Sequence, residues 1–142
     1  MSVVYKDYNE LKDILAKKNF QKRIDKLAQK YNGKKIVIYG AGLLFNVISD
    51  NYDLSKLNIV VIADQKFYEE ETPEFKGFKA INAYDLENFD FDVILLGTFL
   101  AFQAENTIRE EIFADGKDLV IESLLEKNFF EKIEESLIKM TL

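Results

Sequence analysis

The chain has 142 residues, with 19 Lys+Arg against 25 Asp+Glu, a net charge of −6, one Pro, and no His, Cys or Trp. That length suits one domain, and 48% hydrophobic with 31% charged residues is a globular rather than a disordered composition. The missing residue types exclude a disulfide framework, a thiolate nucleophile, a zinc finger and an imidazole base, and the acidic balance argues against nonspecific nucleic-acid binding.

Residues 5–31 read as helix. Tyr8, Leu11, Ile14 and Leu15 form one apolar stripe, and Phe20, Ile24, Leu27, Ala28 and Tyr31 form a second. The stripes fail to join across Lys17–Asn19, so two helices and one kinked helix are both open, and Asn32-Gly33 stops the pattern. Ile36–Tyr39 is a continuous β-branched and aromatic run, followed by a helix over Leu43–Asn51 and a second strand over Leu57–Ala63. Gln65–Gly77 is polar, holds the single Pro and shows no periodicity, so it reads as a mobile loop and a candidate lid. Phe78–Ile81 is a short edge strand, and Ala83–Asn88 a helical turn. Val93–Leu96 is the fourth strand, Phe99–Ala114 a helix, and Leu119–Ile121 the fifth strand. A last helix starts near Ser123, where Glu126 completes a capping box, and buries Leu125, Phe129, Ile133 and Leu137.

The strand runs are apolar on both faces, which suits a parallel sheet covered on both sides. The expected fold is therefore α/β: a Rossmann-like, doubly wound parallel sheet of about five strands in the order 3-2-1-4-5. One domain spans 1–142, with a helical extension over 1–32, a sheet core over 33–122 and a C-terminal helix over 123–142. The apolar runs are strand-length, short of the roughly 20 residues that span a bilayer. The start, MSVVYKDYNELKD, has no apolar signal core, so a cytoplasmic protein is expected.

The sharpest feature is Ile36–Tyr39 running into Gly40-Ala41-Gly42 and then Leu43-Leu44-Phe45: a strand enters a Gly-x-Gly turn and a helix leaves it. Gly40 permits the tight turn, Gly42 lets a phosphate approach the backbone, and the free N–H groups from Leu43 onward favour an anion. Asp64 follows the second strand, 22 residues past Gly42, near the distance at which an acid binds a ribose in dinucleotide sites. Such an acid favours NAD over NADP. The third position of G-x-G-x-x-G is Phe45, which must point away from the sheet or push the helix outward. Gly97-Thr98 ends the fourth strand beside the expected reversal of strand order, where open α/β sheets bind ligands. Thr98 is also a natural N-cap for the helix from Phe99.

The runs KKIVIYGAGLLF, LSKLNIVVIADQKF and EFKGFKAINAYDLENFDFDVILLGTF, roughly residues 33–122, resemble small Rossmann-like domains of bacterial surface-polysaccharide enzymes. Such domains precede some sugar acyltransferases, follow some sugar methyltransferases and accompany glycosyltransferases. An F-x-G-[FY]-x-[VI] segment of that family appears here as Phe75-Lys76-Gly77-Phe78-Lys79-Ala80-Ile81, with Ala80 at the [VI] position. The resemblance implies a nucleotide-facing rim at Gly40, Gly42, Asp64 and Thr98, with NAD or a nucleotide-sugar as ligand. The chain departs from the acyltransferase pattern, since no His follows the glycines and no β-helix repeat follows the domain.

Other signals are weaker. Tyr8–Lys12 and Tyr31–Lys35 fit Y-x-x-x-K but precede the glycine turn, unlike the pair of short-chain dehydrogenases. Glu69-Glu70-Glu71 are consecutive and converge poorly on one ion, so no metal is expected. Tyr39 stands where a SAM site usually places an acid. The 12 Phe and 7 Tyr exceed an obvious core requirement, which points to an interface, with a homodimer through the terminal helices as one candidate. The expected function is a nucleotide- or nucleotide-sugar-binding module with a small-molecule ligand, associated with a carbohydrate-processing enzyme. The alternatives are an NAD-linked oxidoreductase subunit, which without His would need a Tyr, Lys or carboxylate proton donor, and a ligand-free interaction module. No catalytic residue is assigned.

Overall fold

A computed structural model of the chain describes residues 2–69, 73–113 and 118–126. Helices α1 (Ser2–Lys17) and α2 (Phe20–Lys30) come first and are separate. They part at Asn19, whose φ of 51° is left-handed, a conformation Asn adopts more readily than most residues. Strand β1 (Ile36–Tyr39) and helix α3 (Leu43–Asn51) follow, then β2 (Ile59–Asp64) and a 3-10 turn at Gln65–Phe67. Strands β3 (Glu74–Phe75) and β4 (Phe78–Asn82) lead to a 3-10 segment, Ala83–Asn88, and to β5 (Val93–Leu96). Helix α4 (Ala101–Thr107) continues as a π-helical turn over Ile108–Ile112, and β6 (Ile121–Ser123) closes the series.

The sheet order is β3-β4-β2-β1-β5-β6, parallel throughout except for the antiparallel β3–β4 pair. The sequence-based order is therefore right for its five strands, and the sheet has a sixth. That strand, Glu74–Phe75, lies inside the segment expected to be a mobile lid. Lys76 and Gly77, both at positive φ, turn the chain back, and Phe75 and Phe67 pack edge-to-face with ring centroids 6.3 Å apart. Two residues give no periodicity to detect, which is why the polar composition misled. The expectation of a loop without secondary structure is thus corrected for residues 65–67 and 74–75, while residues 70–72 lie outside the described part.

The last strand also shifts, from the expected Leu119–Ile121 to Ile121–Ser123. Val120 still accepts from the Ile94 N–H, but the ladder runs on until the Leu124 N–H reaches Leu96. The final helix falls on residues that are not described beyond Glu126. The expected start at Ser123 is corrected: Ser123 ends β6 and residues 124–126 are not helical, though the Ser123 hydroxyl accepts from the Leu125 N–H at 3.2 Å and Leu125 is buried as expected.

Alternation along β1 divides the core. Ile36 and Ile38 face α1, α2 and α3, packing with Leu15, Ile24, Leu27, Leu44 and Ile48. Val37 and Tyr39 face the other layer, with Leu86, Ile108 and Ile112. β1 and β5 are buried along their whole length, as the doubly covered middle of a parallel sheet requires. On the first face, Arg23 from α2 donates to the Ser123 and Leu124 carbonyls at 2.7 and 3.0 Å and pairs with Glu122 on β6. Tyr8 of α1 and Lys76 of the β3–β4 turn both donate to Asp50 at the end of α3. Among the described residues no helix is long and apolar enough to cross a membrane.

Candidate functional site

β1 pairs with β2 on one side and β5 on the other, and the chain leaves the carboxyl ends of all three in the same direction. Strand order reverses there, the place where open α/β sheets form a ligand crevice. The structure brings Gly40, Ala41, Gly42, Leu43, Asp64 and Thr98 to this edge.

Gly40 has φ of 113°, and a Cβ on it would stand 3.1 Å from the Gly97 carbonyl oxygen and 3.3 Å from the Thr98 Cβ. Both conformation and space therefore demand glycine. The close approach is locked by backbone bonds, Gly40 N–H to Ala63 and Gly97 N–H to Tyr39, both at 2.9 Å. Gly42 differs: it is the N-cap of α3, and nothing lies within 4 Å of where its Cβ would be. The fold therefore has room for a side chain at Gly42. The first N–H in α3 to find a helical carbonyl is that of Asn46, bonded to Gly42, leaving the N–H groups ahead of it without helical partners.

Asp64 sits at the end of β2 and turns toward the glycines. Its Oδ2 accepts from the Ala41 N–H at 2.7 Å and its Oδ1 from the Lys66 N–H at 3.0 Å. The Lys66 side chain folds back so that its ammonium donates to the Ala41 carbonyl. It also stands 4.6 Å from the Phe75 ring centroid and 5.5 Å from that of Phe67. The acid and the lysine thus clamp both backbone groups of Ala41. Sequence reasoning missed Lys66, since nothing in its spacing shows that a strand-end lysine returns to a turn 25 residues earlier.

Thr98 plays a slightly different part from that expected. Helix α4 starts at Ala101 with Leu100 at its N-cap, so the Thr98 hydroxyl, accepting from the Leu100 N–H at 3.3 Å, closes the turn ahead of the helix. Phe45 neither points away from the sheet nor exposes itself. It is fully buried, with Phe75 and Phe78 ring centroids 6.1 and 6.4 Å from its own. Close helix–sheet packing comes from Gly97 instead, where a Cβ would lie 3.4 Å from the Phe45 Cβ and 3.2 Å from Ile38 Cγ2. The small residue has moved from the helix to the facing strand end.

Tyr39 ends β1 behind the turn. Burial, with the nearby Asp64, Tyr84 and Glu111, pushes its hydroxyl above the ordinary phenol range, so it stays protonated at neutral pH. Tyr68, Tyr84, Leu100 and Phe102 are exposed in the segments that follow β2, β4 and β5, along the same edge. Two clefts of about 260 and 600 Å³ run along α2, lined by Lys22 and Lys26 among others, and share no residue with the glycine turn. Among the described residues no group of three or more acidic side chains is placed to hold a metal ion.

The sheet order, the helices on both faces and a strand-to-helix glycine turn at the switch point define a Rossmann-like α/β module. The chain belongs to the C2185-like family, whose N-terminal model matches residues 32–118, from the end of α2 to the approach to β6. No curated protein and no solved structure matches the chain.

Proposed function

We propose that the chain is a nucleotide- or nucleotide-sugar-binding module, an accessory to carbohydrate-processing enzymes of bacterial surface-polysaccharide biosynthesis. One observation carries the reading: the backbone at Gly42 lies open at the start of α3, while the neighbouring Gly40 is closed off by Gly97. A diphosphate takes the open position, where the unbonded N–H groups and the positive end of the helix favour negative charge. Asp64 and Thr98 flank it, and the exposed Tyr68 and Tyr84 rings offer a base faces to stack on. The polysaccharide setting comes from the sequence resemblance over residues 33–122. NAD is a second ligand of the same class, and the protonated Tyr39 hydroxyl is a hydrogen-bond donor close to the turn.

A second reading has its own support. Asp64 already satisfies the Ala41 N–H, so the turn is complete without ligand, and Leu100 and Phe102 are 61% and 76% exposed beside it. On that reading the fold is an interaction module, a homodimer or an enzyme's docking partner.

A thermal-shift panel with NAD, NADH, NADPH, UDP, UDP-sugars, SAM and CoA separates the two. A ligand at about 100 times its dissociation constant adds about 2.7 kcal/mol of stability, a rise of several degrees for a domain of this size. A selective rise with a nucleotide supports the binding module. No rise with any of them, from folded protein, supports the interaction module.

A further inference from the structure

We infer that the chain associates head to tail with further copies of itself. The basic face of α2 in one copy seats the acidic face that the next copy builds from Ala83–Asn88 and the Ile108–Ile112 turn. The association needs no ligand at the glycine turn.

Charge is segregated along the chain. Residues 16–35 carry eight Lys and Arg against one acid, Asp25, whereas the other 122 residues carry 11 against 24. Helix α2 concentrates the positive side. Lys22, Lys26 and Lys30 repeat every four residues, so they stand on one side of the helix about 6 Å apart along its axis. Like charges at that spacing repel one another. Lys30 is relieved by Glu122 at 2.7 Å. Among the described residues no carboxylate pairs with Lys22 or Lys26, nor with Lys18 just ahead of the helix, and all three are exposed. Lys22 and Lys26 line both clefts along α2, and Lys18 and Arg23 join them in the smaller one, where Glu126 is the one acid. The positive side is thus concave, which suits projecting carboxylates better than a flat lipid surface. It also exposes no large apolar side chain among the described residues to enter a bilayer.

The matching surface lies on the opposite face of the sheet. Helix α2 buries Ile24 and Leu27 in the first core layer, while Leu86, Ile108 and Ile112 are buried in the second. The segments that carry these last three pack together and expose Asp85, Glu87, Glu110 and Glu111. None of the four pairs with a cation among the described residues. Each chain therefore presents an unneutralised positive face and an unneutralised negative face, back to back. A separate acidic partner would satisfy α2 alone, whereas a second copy satisfies both faces in turn. Because the faces differ and point in opposite directions, the contact is heterologous and repeats from copy to copy instead of closing a two-fold dimer.

The test is sedimentation velocity of the whole chain for wild type, Lys22→Gln/Lys26→Gln and Glu110→Gln/Glu111→Gln, with melting curves to establish folding. Wild type is expected to gain mass with concentration in about 20 mM salt and to run as a monomer in about 0.5 M, where screening shortens to a few ångström. Each double variant alone self-associates at least about tenfold more weakly than wild type, because each keeps only one charged face. An equimolar mixture of the two forms a one-to-one dimer and nothing larger, with the acidic face of the first on the lysines of the second. The Glu110→Gln/Glu111→Gln chain has a smaller net charge than wild type, so its loss of association separates a contact between faces from general repulsion. Wild type that stays monomeric at low salt overturns the inference and leaves α2 to a different acidic partner. Association that survives in either folded double variant also overturns it, as does a mixture that forms no dimer.

Discussion

Two carboxylates on this sheet collect several donors each, and they are used in opposite ways. Glu122 on β6 accepts from Arg23, Lys30 and Tyr31, all side chains from α2 or just beyond it, at 2.5–3.1 Å. Asp64 on β2 accepts from two backbone N–H groups in or beside the glycine turn. Glu122 ties a helix to a strand about 90 residues away in sequence, and its partners close around it. Asp64 fixes a local bend and leaves the outer side of that bend open at Gly42. A carboxylate with side-chain partners on every side is a fold tie. One that braces backbone beside an open glycine is, on the proposed reading, part of the ligand site.

Substitutions at four positions sharpen that contrast. Phe45→Ala has the largest expected effect, although it recreates the small residue of the dinucleotide fingerprint. It empties the space between Phe75 and Phe78 and is expected to cost about 3–5 kcal/mol in denaturant unfolding. A stability near wild type would show that Gly97 does not replace the missing small residue. Gly40→Ala comes next, at about 2–4 kcal/mol, from strain at positive φ and the 3.1 Å contact with a backbone oxygen that cannot move freely.

Glu122→Gln is expected to cost about 1–2 kcal/mol at neutral pH. Burial alone raises the Glu122 carboxyl, but hydrogen bonds from Lys30, Tyr31 and Arg23 outweigh it and hold the group below the usual glutamate range. A lowered pKa in the fold means that the contribution is present above the ordinary glutamate pKa and lost as pH falls through the folded value. Wild type should therefore lose more stability than Glu122→Gln between about pH 5 and pH 3. Parallel curves would remove Glu122 as the tie. Gly42→Val has the smallest structural effect, about 1 kcal/mol or less, because only N-cap preference changes. Its effect on ligand binding is expected to be the largest of the four.

Much of the fold was legible because its central strands are short apolar runs that no surface helix would carry. Ile36–Tyr39 and Val93–Leu96 were placed to the residue, as was α3. Elements set by tertiary contacts were not. β3 is two residues long and exists because Phe75 packs against Phe45 and Phe67, and β6 is offset because its ladder extends to Leu124. The site shows the same division. Glycines whose role is local were readable, while the clamp of Lys66 on Ala41 and the exchange of Phe45 for Gly97 depend on distant segments meeting.

UDP titration into folded wild type and folded Gly42→Val shows whether the open glycine marks a diphosphate site. Binding to wild type is expected, with at least about tenfold weaker binding to the variant, since the valine side chain fills the approach to the backbone. Equal affinity of the two chains for UDP would contradict it.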